Sequence, residues 1–190
     1  MSALARVKAK SAGELLQHFE LSEEGESVAV LEEAPLQVMN KLIEQENFHD
    51  AVTMLAHALP KREAVWWACL AAKKTMDTSV ELNNAAVAAA EIWVREPTEA
   101  HRQTARKLGE RAKNKTAAGW VATAASWCTG NMLDEGDIVV PPPDFLYAHA
   151  VAASITLAAV DAGPESMSDS YRYFLRQGFD LANGGSGQIE

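Results

Sequence analysis

The sequence predicts an all-α fold: a single domain of about eight or nine helices packed as helical hairpins, in an orthogonal bundle or a short α-solenoid-like stack. Three observations lead there. Alanine dominates the composition, and alanine carries the strongest intrinsic helix preference. The β-branched and aromatic residues that fill strands are sparse outside Asp137 to Val140. Apolar residues recur at helical spacing between clear capping and breaking signals. The chain has 48% hydrophobic and 23% charged residues, which excludes a disordered or membrane-embedded polypeptide, and 190 residues suit one core. We expect residues 1–183 to form the domain and 184–190 a flexible C-terminal tail.

The elements are taken in chain order. Ser11 and Glu14 have capping-box spacing for a short first helix, and the acidic stretch Glu20 to Glu26 reads as its separator from the next. Pro35 suits the first turn of a helix running to about Gln45. After Asn47, the positions Phe48, Val52, Leu55, Ala56 and Leu59 form one amphipathic stripe. Pro60 then opens a helix to about Thr75 that is apolar nearly all round and should be central. Thr78 and Glu81 again have capping-box spacing, before a helix to about Arg95. Pro97 begins an outer helix to about Lys113, with a thin apolar stripe of Ala105, Leu108 and Ala112. Thr116 caps a helix ended by Gly130. Asp144 is the expected cap of the apolar helix Phe145 to Val160, and a last helix places Tyr171, Phe174, Leu175, Phe179 and Ala182 on one face.

Charge and chemistry are less informative than fold. The 17 basic and 26 acidic residues leave a net charge of −9. The segment His101 to Lys115 runs against that sign, with six basic residues and only Glu110 opposing them. Such a patch would steer an acidic protein partner, through Arg102, Arg106 and Arg111, or merely solvate an outer helix; the overall sign argues against nucleic acid. The five histidines are scattered and show no metal-ligand spacing, so no metal site is expected. His149 lies in the most apolar helix, where a core histidine bonded to a carbonyl is the plain reading. Cys69 and Cys128 follow bulky apolar neighbours and read as buried, inert thiols. No nucleophile elbow, phosphate-binding loop or dinucleotide fingerprint is present, so neither a catalytic residue nor a cofactor is assigned. The N-terminal segment is interrupted by Glu14, Gln17 and His18 where a signal peptide needs an apolar run, and Ala148 to Val160 is too short to span a membrane. We therefore expect a cytoplasmic chain without membrane contact.

Two features remain. Trp66 and Trp67 are adjacent on one helix and point about 100° apart, so their burial should differ, and the more exposed ring is a candidate anchor for a partner. The 13 residues from Asn131 to Pro143 are long for a connection between helices. Their acidic start should keep the tip solvated, and Pro141 to Pro143 should stiffen the end. Ile138, Val139 and Val140 between them form a short apolar run. We expect that run to pack across the helices as a strap; otherwise it offers itself, with Pro141, to a protein partner.

Four stretches carry a resemblance. They are Ala56-His57-Ala58-Leu59-Pro60-Lys61-Arg62-Glu63-Ala64-Val65-Trp66-Trp67-Ala68-Cys69, then Ala118-Gly119-Trp120-Val121-Ala122, the prolines before Ala148-His149-Ala150-Val151, and Tyr171-Arg172-Tyr173-Phe174-Leu175 with Gly178 and Ala182. Together they resemble an uncharacterised family of bacterial helical proteins encoded near type VI secretion genes. The resemblance implies an accessory to secretion or effector loading, and it brings no catalytic residue with it. The expectation is thus a non-enzymatic cytoplasmic adaptor or chaperone-like protein that contacts a secretion-system component or effector. The alternative is an enzyme or small-molecule-binding module with an interhelical pocket near Tyr147 and His149.

Overall fold

The computed structural model describes residues 4–133 and 138–189, which form ten helices and, among the described residues, no strand. Helix α1 (Ala12–Leu16) follows Ser11, whose side chain does not cap it. Glu14 does reach back, accepting from the Lys10 N–H at 3.1 Å. Helix α2 (Glu23–Val28) lies inside the acidic stretch read as a separator. Its polar sequence offers no apolar stripe to detect. It forms because Ser22 accepts from the Gly25 N–H at 3.0 Å and donates to buried Asp50 at 2.6 Å, while three glutamates sit in the first turn, where the helix dipole favours negative charge.

Helix α3 (Pro35–Glu44) starts at its proline, with the Gln37 side chain accepting from the Ala34 N–H at 3.1 Å. Helix α4 (Phe48–Ala58) is buried everywhere except His49. Helix α5 (Lys61–Thr75) follows Pro60, and α6 (Glu81–Arg95) follows Val80. The expected Thr78 cap is displaced because Asp77 makes a tight turn ahead of it, accepting from the Ser79 N–H and hydroxyl at 2.8 and 2.7 Å. Helices α7 (Glu99–Ala112) and α8 (Ala117–Ser126) carry true threonine caps, Thr98 and Thr116. Helix α9 (Leu146–Asp161) begins after Phe145, not Asp144, with Phe145 held at φ +64°. Helix α10 (Met167–Ala182) ends the bundle.

Helix α9 lies among α4, α5, α8 and α10, and α6, α7 and α8 form a neighbouring group. Alanine explains how so many helices meet. Ala118, Ala122 and Ala125 of α8 and Ala148, Ala152 and Ala159 of α9 are almost fully enclosed, letting backbones approach closely. Glycine completes the contact at two crossings. A Cβ on Gly119 would fall 2.8 Å from that of Ala112, and one on Gly178 would fall 2.8 Å from the Trp67 ring. Trp67 itself is fully enclosed and donates its indole N–H to the Phe174 carbonyl at 2.6 Å, locking α5 to α10. Trp66, one position earlier, is only half-buried, as their angular separation requires.

The segment 184–189, expected to fray, is instead bound. Its backbone is held by Trp66, Tyr173, Gln177 and Asp180, and Gly187 is buried. Glycine-rich composition signals freedom in isolation; here it permits a close approach to α5 and α10.

Candidate functional site

Beyond α8 the chain turns at Gly130 and enters the long connection. Asn131 organises its two ends. The Asn131 side-chain oxygen accepts from the Leu133 and Val140 N–H groups at 3.1 and 2.8 Å, and its amide donates to the Ile138 carbonyl at 3.1 Å. The Met132 N–H adds a bond to the Val140 carbonyl at 2.8 Å. The two described ends of the connection, 131–133 and 138–140, are thus bonded to each other. Ile138, Val139 and Val140 are 69%, 71% and 42% exposed, which overturns the expected strap. Pro141 is exposed beside them. The acidic residues Asp134 to Asp137, expected at the tip, lie outside the described residues.

The base of this loop rests on α7, and that contact revises the basic patch. Arg102 is 1% exposed. Its guanidinium makes paired bonds to Glu99 at 2.7 and 2.6 Å and also donates to the Ser126 carbonyl at 2.9 Å and the Asn131 carbonyl at 3.3 Å. The pairing holds the Glu99 carboxyl below its usual range. Arg102 is therefore an internal clamp between α7, α8 and the loop, not a steering charge. Reversing it to a carboxylate would disrupt the fold, because the new charge would be buried beside Glu99. Arg106 is largely enclosed as well, bonded to Glu110 at 2.9 Å and to the Asn131 carbonyl at 3.4 Å. Arg111 is exposed, and with Lys107, Lys113 and Lys115 it carries the accessible positive charge. Periodicity could not separate these arginines, since the loop that covers Arg102 returns from more than 20 residues away.

The proposed pocket near Tyr147 and His149 is filled by rings. Tyr147 is buried and donates to the Leu59 carbonyl at 3.1 Å, and burial raises its phenol well above the ordinary value. His149 is exposed; the core histidine is His57, 2% exposed, whose Nδ1 lies 2.7 Å from the Thr53 carbonyl. A carbonyl only accepts, so Nδ1 carries the proton and Nε2 is the lone-pair nitrogen. That Nε2 is buried with no hydrogen-bond partner among the described residues. Around it, the His149 ring meets His57 edge-on at 4.7 Å, Phe19 lies at 4.4 Å, and His18 stacks on Phe145 at 4.0 Å. Burial foremost, then the neighbouring His149 and His18, lowers the His57 pKa to about 4, against the Thr53 bond, which raises it. The cluster joins α4, α9 and the turn after α1, a meeting that sequence spacing alone did not signal.

Both cysteines are buried, and burial pushes their thiols far up, away from thiolate chemistry. Among the described residues no group of three His, Cys, Asp or Glu side chains is placed to hold a metal ion. No helix among them is long and apolar enough to cross a membrane.

The model of a family of unknown function, DUF6931, matches residues 38–182. The chain belongs to DUF6931. No curated protein and no solved structure matches it. The DUF6931 match takes in most of α3 and all of α4 to α10, and with them Arg102, the Asn131 loop and the His57–His149 contact. Helices α1 and α2, with His18, and the segment 184–189 fall outside the matched residues.

Proposed function

We propose that this DUF6931 chain is a cytoplasmic, non-enzymatic adaptor or chaperone-like protein that acts through protein contacts in a type VI secretion setting. The observation that carries the reading is the exposed run Ile138-Val139-Val140. Three consecutive apolar residues in water are unfavourable and prone to association, so a loop that clasps its own base to present them is better explained by a partner than by the fold. The exposed Lys107, Arg111, Lys113 and Lys115 of α7 and the turn after it would favour an acidic partner. The secretion setting rests on the four resembling stretches, and the partner class is a secretion-system component or its effector.

The test replaces Ile138, Val139 and Val140 together with serine. The side chains are already in solvent, so the melting temperature should stay within about 1–2 °C of the parent. A protein recovered with the parent chain from its own cells should be lost with the variant. Undiminished recovery would overturn the role of this loop.

A further inference from the structure

Segment 184–189 turns at Gly184, bends at Gly187 and lies against α5 and α10, where it is held through its backbone. The Trp66 indole donates to the Ser186 carbonyl at 2.8 Å, the Gln177 amide to the Gly187 carbonyl at 3.0 Å, and the Tyr173 hydroxyl to the Ile189 carbonyl at 3.3 Å. In the other direction, the Gly187 N–H donates to the Asp180 carboxylate at 2.9 Å. Gly187 occupies a seat that favours glycine. Its φ is +73°, and a Cβ there would stand 2.7 Å from Leu70 Cδ1 and 3.1 Å from Leu181 Cδ1.

The fit is incomplete in two places. Gln177 is 5% exposed, yet its side-chain oxygen has no partner among the described residues, so one acceptor aimed beneath the segment is unused. Beside Ser186 there is a hollow of about 340 Å³, walled by Trp66, Val94, Leu181, Arg62, Glu63 and Arg6. The short serine side chain lines this space without filling it. Four side chains that bind a peptide backbone, a glycine seat, an unused acceptor and a hollow one residue before the seat are the parts of a peptide-recognition groove.

We propose that this face of α5 and α10 is a binding groove for a peptide that bends at a seated glycine and carries a bulky apolar residue immediately before it. The chain's own segment 184–189 occupies it in cis, and a peptide that also fills the hollow would compete with that segment. The groove uses no residue of the 131–143 loop, so the two surfaces stand or fall separately.

The test uses the full chain. Gly187→Val should expel the segment, because valine neither tolerates the positive φ nor fits the seat. Two fluorescein-labelled probes report binding by anisotropy: a peptide with the sequence of residues 183–189, and the same peptide with Ser186→Leu. The leucine peptide should bind the Gly187→Val chain at least about tenfold more tightly than the native peptide, from the apolar surface it buries. It should bind the parent chain at least about tenfold more weakly, since the cis segment competes at high effective concentration. Equal affinity for the two chains, or no binding to the Gly187→Val chain, would overturn the proposal. Should that variant not fold, Ser186→Leu in the otherwise intact chain decides the matter. Leucine filling the hollow in cis should raise the melting temperature, and an unchanged or lower value would overturn the groove.

Discussion

His57 makes the stability of this protein sensitive to mild acid, and the size of the effect comes from its burial. In the unfolded chain its imidazole titrates near the ordinary 6.5; in the folded protein the value is about 4. The unfolded state therefore takes up a proton first as pH falls. The stability associated with a neutral buried ring is fully present above 6.5 and is lost progressively toward pH 4. Each pH unit within that window costs about 1.4 kcal/mol, so acidification from pH 7 to pH 5 should remove about 2 kcal/mol, and full protonation about 3 kcal/mol. The groups that face the ring act in the same direction. His149 from α9 and His18 from the turn after α1 both lower its pKa, while Phe19 and Phe145 offer no counter-charge. The assay is urea unfolding at pH 7, 6 and 5 for the parent chain and His57→Leu, which has similar volume and does not titrate. Every other ionisable group is common to both proteins, so the difference between them isolates His57 and its couplings. The parent should lose about 2 kcal/mol more than the variant between pH 7 and pH 5. Stability curves that run parallel with pH would refute the assignment of a buried, neutral His57.

Further predictions concern the core and the clamp. Trp67→Ala should cost about 3–5 kcal/mol in denaturant melts, from the cavity left against α10, whereas Trp66→Ala should cost about 1–2 kcal/mol, from a half-buried ring and one hydrogen bond. Equal losses would contradict the packing of α5. Arg102→Ala should cost about 2–4 kcal/mol, because the carbonyls of Ser126 and Asn131 lose a charged donor in a buried place. Arg111→Ala should change stability by less than about 0.5 kcal/mol, and a comparable loss at both sites would remove the distinction between clamp and surface charge.

What the sequence determined by itself was mainly local. Alanine content, the prolines at 35, 60 and 97, and the threonine cap Thr116 set the helical class and most helix positions, because propensity and capping act within a few residues. The adjacent tryptophans announced unequal burial through helix geometry alone, and both cysteines were legible from their apolar neighbours. Where local signals competed, the tertiary structure decided. Helix α2 exists because Asp50, from α4, completes the Ser22 cap, and no window on the acidic stretch contains that residue. Asp77 displaced the Thr78 cap by a turn of its own. Charge, exposure and pocket shape were settled by segments distant in the chain. Arg102 is internal because Ser126 and Asn131 return to it, and His57 is buried because the turn after α1 and the start of α9 close over it. Ile138 to Val140 are exposed because Asn131 clasps the loop at its base, and the glycine-rich segment 184–189 is ordered because Trp66 and Gln177 reach its backbone. Composition and spacing report what a side chain prefers in water or against its own helix. Which neighbours enclose it depends on contacts tens of residues away, and those contacts place the surfaces on which the proposed functions rest.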